Sequence, residues 1–104
     1  MAKFLLAYRG GSMPETEEAQ AQVMGAWQAW FGTLGDAVVD PGDPCSTART
    51  IAANGSAGAE TQSSISGYTI LKAGSLDAAV ALAKGCPVLA GGASIEVIEI
   101  VPTM

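Results

Sequence analysis

The sequence predicts a small α+β domain in the order strand–helix–strand–strand–helix–strand, and three observations carry that prediction. The chain starts with a short apolar run, Lys3-Phe4-Leu5-Leu6-Ala7-Tyr8, that stops at Gly10-Gly11. A long helical stripe follows, with Ala19, Val23, Trp27, Trp30, Phe31 and Leu34 recurring at spacings of three and four. The second half then repeats the pattern as strand (Gly67–Ala73), helix (Leu76–Ala83) and strand (Ile95–Val101). At 104 residues the chain is expected to be one domain, 1–104.

Each element has a local reason. The first run is rich in β-formers and too short for a helix. Ser12-Met13-Pro14-Glu15 reads as a helix start, with a cap-type residue, a proline for the first turn and acids at 15, 17 and 18 facing the positive end of the dipole. Gly35 is the expected stop. From Asp36 to Ala48 the chain is rich in Pro, Gly and Asp, with one short extended piece at Ala37-Val38-Val39. Arg49–Ala53 has strand character and is expected to form the second main strand, closed by an Asn54-Gly55 turn. Ser56–Ser64 is small and polar and reads as a mobile loop. Gly74 ends the next strand, Ser75 caps the second helix, and Lys84-Gly85-Cys86-Pro87 terminates it, because proline cannot continue a helix.

This β-α-β-β-α-β order matches a ferredoxin-like arrangement, in which two helices cover one face of a four-stranded antiparallel sheet. The other face should be wet, and its residues polar. They are not. Phe4, Leu6 and Tyr8 alternate with Leu5 and Ala7, while Ile95, Val97 and Val101 alternate with Ile98 and Ile100. Both faces are apolar, so the face without helices requires a cover. A second copy supplies one most economically, which predicts a homodimer. Face-to-face pairing is the first expectation and edge-to-edge pairing the second.

Composition narrows the functional classes. The net charge is −5, only 14% of residues are charged, and no basic run occurs, so neither a nucleic-acid interface nor adhesion to an anionic membrane is expected. The chain has no histidine, and Cys45 and Cys86 lack metal-site spacing, so no metal and no cofactor are expected. No segment is long and apolar enough for a span or a signal core. The expected compartment is the cytoplasm, with reduced thiols.

Gly67-Tyr68-Thr69-Ile70-Leu71, Ser75-Leu76-Asp77-Ala78-Ala79, Ala83-Lys84-Gly85-Cys86-Pro87 and the strand around Glu96-Val97 together resemble the YCII-related family of small bacterial proteins, which includes the DGPF-domain proteins. The resemblance implies a dimeric α+β barrel of two facing sheets. Some members carry a histidine in the first helix and an aspartate before the proline after the second helix, a suggested catalytic pair. Here histidine is absent and Cys86 precedes Pro87, and Gly55-Ser56-Ala57-Gly58 stands where the Asp-Gly-Pro-Phe signature would be. That acid–base chemistry therefore does not carry over.

The candidate ligand-binding residues are Tyr8, Arg9, Arg49, Glu60 and Tyr68. Arg9 and Arg49, at strand ends, could clamp a carboxylate or phenolate, and equally suit a solvated surface. Tyr8 and Tyr68, on neighbouring strands, could face one cavity and bind an aromatic ligand or donate a proton; core packing is the plainer role. Glu60, Glu96 or Glu99 in an apolar barrel could act as a base, although Glu96 and Glu99 fall on opposite strand faces. Trp27 and Trp30, three apart on the buried stripe, could form a stacking platform, but their helical spacing reads first as core. Cys86 follows a helix C-terminus, where the dipole opposes a thiolate, and reads as a small buried residue. Two functions fit: a cofactor-free lyase or isomerase acting on a small hydrophobic or aromatic molecule, or a non-catalytic dimeric module for a metabolite or protein.

Overall fold

A computed structural model describes residues 1–103. Strand β1 (Ala2–Arg9) leads into helix α1 (Glu17–Leu34), a 3-10 turn (Gly35–Ala37) and the short strand β2 (Val38–Asp40). An excursion follows that contains only the two-residue strands β3 (Thr47–Ala48) and β4 (Thr61–Gln62). Strand β5 (Gly67–Ala73), helix α2 (Leu76–Ala83), a 3-10 segment (Pro87–Gly91) and strand β6 (Ser94–Ile100) complete the chain. The main sheet is antiparallel in the order β2-β5-β1-β6, as the ferredoxin-like order requires, with β1 and β5 central.

The register fixes the two faces. Phe4 pairs with Leu71 and Glu99, Leu6 with Thr69 and Val97, and Tyr8 with Gly67 and Ile95. Residues directly opposite share a face, and these lie beneath the helices. Phe4, Leu6, Thr69 and Leu71 are fully buried there. The alternate set lies on the face that no helix covers: Leu5, Ala7, Tyr68, Ile70, Ile98 and Ile100, together with the charged Lys3, Arg9, Lys72 and Glu96. That face is thus apolar in its middle, around Leu5, Ile70 and Ile98, and charged toward its two ends.

α1 starts four residues later than the Ser12 cap expected from sequence. Thr16 is the cap, its hydroxyl accepting from the Ala19 N–H at 3.1 Å. Ser12 is drawn away because its backbone N–H donates to the Gly91 carbonyl at 3.2 Å. Gly35 ends α1: its N–H still donates to the Phe31 carbonyl, and its φ of +56° then turns the chain out of the helix. α2 is capped by Ser75, as expected, through the Ala78 N–H at 3.1 Å. The helices are tied to each other where the Trp30 indole donates to the Leu82 carbonyl at 3.2 Å.

One expected element is displaced. The second strand of the sheet is Val38–Asp40, and Arg49–Ala53 contributes only an isolated bridge, Ile51 to Ala57. Val38 is apolar and half-buried and can face Leu71 from the edge, whereas residues 46–62 are all exposed. The region from Cys45 to Ser63 is a narrow ribbon that leaves the sheet and turns at Asn54-Gly55. Ser56–Ser64, expected to be loop throughout, includes β4 of that ribbon. The molecule measures 44 × 41 × 17 Å, with a radius of gyration of 15.3 Å. A packed chain of this length has a radius of about 13 Å.

Candidate functional site

The sheet end at Tyr8 and Gly67 is where α1, the turn after β1 and the segment after β2 come together. A cavity of about 640 Å³ opens there, walled by Tyr8, Val23, Trp27, Phe31, Tyr68 and Val88. Aromatic packing shapes the wall: the Trp27 ring meets Tyr8 edge-on at 5.7 Å and 62°, and lies 5.7 Å from Phe31. A second groove of about 870 Å³ lies between α1 and residues 84–90, but it is more open and Trp30 is its one aromatic wall. The less open, aromatic cavity is the better binding site, because a ligand there loses more of its apolar surface to protein.

The polar groups of the cavity form a short chain of hydrogen bonds. The Tyr8 hydroxyl donates to Thr69 Oγ1 at 2.6 Å, and the Thr69 hydroxyl donates on to the Pro41 carbonyl at 3.0 Å. Burial pushes the Tyr8 phenol well above its ordinary 10.0, against a smaller opposing pull from Thr69. Burial likewise raises the Cys86 thiol, with hydrogen bonds from Val88 and Tyr8 working the other way. Tyr8 is therefore a neutral donor and Cys86 a neutral thiol at physiological pH. Cys86 is 3% exposed and packs in one cluster with Tyr8, Trp30 and Leu71, which is the small-core role its position suggests.

Gly42 lets the segment after β2 close over this end. Its φ is +76°, and a Cβ there would stand 1.7 Å from the Tyr68 carbonyl oxygen. Only glycine permits that approach. Asp40 holds the turn by accepting from the Gly42 N–H at 2.8 Å. The Asp40 carboxylate, and to a lesser degree Asp43, raises the Tyr68 phenol above its ordinary value.

The residues expected to converge do so only in part. Tyr8 and Tyr68 both line the cavity, but successive register positions put them on opposite sheet faces, with Tyr8 across from Gly67 and Tyr68 across from Ala7. Strand alternation separates them, and they meet at one cavity only because it opens at the end of the sheet. Arg9 is not over the cavity. Its guanidinium pairs with Glu96 at 2.9 Å and donates to Ser64 at 3.3 Å, on the uncovered face. Arg49 and Glu60 lie on the exposed ribbon, where Arg49 Nε donates to the Gly58 carbonyl at 2.8 Å. Among the described residues no three His, Cys, Asp or Glu side chains gather as metal ligands.

Sequence reasoning missed Thr69 and Asp43, and for Trp27 it put core packing ahead of the wall it forms in the cavity. Thr69 carried a usable signal: a hydroxyl at the position alternating with Gly67 and Leu71 on a buried strand face must find a partner. Asp43 carried none, since its place depends on how the Pro-Gly segment folds back. Comparison with protein-family models, curated proteins and solved structures finds no match to this chain.

Proposed function

We propose that this protein binds a small, flat, largely apolar molecule in the cavity beside Trp27, and that it does so as a homodimer. The observation that supports binding is the enclosure of about 640 Å³ by Tyr8, Trp27, Phe31 and Tyr68 with few polar groups, the usual make-up of a small-molecule site. A fully packed interior would favour a purely structural role. The resemblance to YCII-related proteins points the same way, toward a ligand-sized pocket in a paired α+β fold.

Surface area supports pairing. The chain exposes 6934 Å², about 1,500 Å² more than the roughly 5,400 Å² expected of a compact monomer of its mass. The fully exposed ribbon of residues 46–62 accounts for part of that excess, and the uncovered sheet face adds to it. Ile98 and Ile100 are 38% and 36% exposed on the uncovered face, beside Leu5 and Ile70. Light scattering at micromolar concentration should return twice the chain mass of 10.4 kDa. A mass near that of one chain refutes pairing.

A cofactor-free lyase or isomerase is the second reading. It is favoured by Tyr68, kept protonated in the field of Asp40 and Asp43 at the same cavity, which provides a neutral donor near a carboxylate. Binding is the simpler function for a site whose deepest ionisable group, Tyr8, is held neutral. The test is a thermal-shift panel of quinols, aromatic acids and aromatic amines, with tryptophan emission recorded in parallel. A ligand at a hundred times its Kd stabilises the native state by about 2.7 kcal/mol. No shift in melting and no change in emission across the panel refutes the binding site.

A further inference from the structure

Resting on that reading of the cavity, we infer that its ligand class is cationic: an amine or quaternary ammonium carried on an apolar body. The inference comes from what the cavity offers after its internal bonds are made. The Tyr8 hydroxyl is committed to Thr69, the Thr69 hydroxyl to Pro41, and the Ser66 hydroxyl to the Gly10 carbonyl at 3.0 Å. The backbone N–H groups of Ser12, Gly42 and Ser66 donate to Gly91, Asp40 and Tyr8 respectively. These lining groups have spent their hydrogens and keep only lone pairs. The donors left in the lining, the Ser12 and Tyr68 hydroxyls and the Trp27 indole, are all uncharged, so a carboxylate or phosphate finds no cation to pair with.

Charge points in the same direction. No lysine or arginine lines the cavity, and Asp43 is its one ionised side chain. The Arg9 guanidinium, the nearest cation in sequence, is held by Glu96 on the other face. What remains is aromatic surface from Tyr8, Trp27, Phe31 and Tyr68 with a carboxylate beside it. Aromatic rings attract cations through their quadrupole, and more strongly where water is excluded. The apolar walls take the body of such a molecule, and the rings with Asp43 take its charge.

The test compares phenyltrimethylammonium, its neutral carbon isostere tert-butylbenzene and the anion benzoate in ligand-detected NMR titrations of the full chain. The cation should bind at least about tenfold more tightly than the isostere, with benzoate weakest. Asp43→Asn should weaken the cation about threefold to tenfold and leave the isostere unchanged. Glu60→Gln removes the same charge from the distant ribbon and should change neither, which separates a local effect from the net charge of −5. Equal or tighter binding of the isostere or of benzoate overturns the cationic class while leaving the cavity as a binding site. Binding of none of the three overturns both. A loss on Glu60→Gln equal to that on Asp43→Asn also overturns the proposal, since the attraction is then to the whole surface.

Discussion

The hydrogen-bond chain Tyr8–Thr69–Pro41 allows an asymmetric prediction. In Tyr8→Phe the Thr69 hydroxyl keeps its acceptor, the Pro41 carbonyl at 3.0 Å, and loses only the bond it accepted at 2.6 Å. That should cost about 1 kcal/mol, the net worth of one intramolecular hydrogen bond. Thr69→Val is nearly isosteric at a residue with no exposed surface, and it strands the phenolic hydrogen of a Tyr8 that is 4% exposed. A buried donor without an acceptor costs about 2–3 kcal/mol, of which the Cys86 sulfur, a weak acceptor, recovers only a part. Once the phenol is gone the Thr69→Val penalty should drop, so the double variant should be about 1 kcal/mol more stable than the sum of the single ones. Urea denaturation measures all four corners of the cycle, and each kcal/mol is about 4–8 °C in Tm for a domain of this size. The reasoning is refuted if Thr69→Val costs no more than Tyr8→Phe, or if the two add within ~0.3 kcal/mol.

Three further predictions address other parts of the molecule. Gly42→Ala places a methyl 1.7 Å from the Tyr68 carbonyl at a positive φ; a loss of at least about 4 kcal/mol is expected, and a Tm within a few degrees of wild type contradicts it. Tyr8 and Cys86 bind their protons more tightly folded than unfolded, so the stability they provide is complete below their ordinary values of 10.0 and 9.0 and is lost as pH rises past them. Denaturation from pH 7 to 11 should show stability falling from about pH 9, at no more than ~1.4 kcal/mol per pH unit for each group; Tyr8→Phe should flatten the upper part, and a rise across this window refutes it. In thiol labelling at neutral pH, half-buried Cys45 should react at least about tenfold faster than buried Cys86, which must wait for local opening. Equal rates would mean that Cys86 is not sealed in the core.

The fold was largely legible because its signals are local and agree with one another. The stripe from Ala19 to Leu34, the Ser75 cap and the alternation in β1 and β6 each follow from nearest neighbours along a helix or strand. The site was less legible because it depends on which way one residue in two points. Tyr8 and Arg9 are adjacent in sequence, and alternation sends one under the helices and the other to an ion pair on the uncovered face. The misplacement of the second strand has a similar cause. Arg49–Ala53 is the longer run and precedes a strong Asn54-Gly55 turn signal, but pairing with β5 rewards the segment whose apolar residue can reach Leu71. The longer run lost to tertiary contact there, and the candidate residues Arg49 and Glu60 moved with it onto the ribbon.

The same ribbon makes the chain unusually accommodating to added length. From Cys45 to Ser63 it contributes nothing to the buried core, and its exposed Asn54-Gly55 tip lines neither the cavity nor the groove. Lengthening a flexible loop is thermodynamically mild, about 0.6 kcal/mol for each doubling. A peptide tag or a whole guest domain spliced at this tip would hang from the sheet like a pendant. The ribbon is thus the place where a designer, or a lineage, could give this fold a new appendage without disturbing the packing that holds it together.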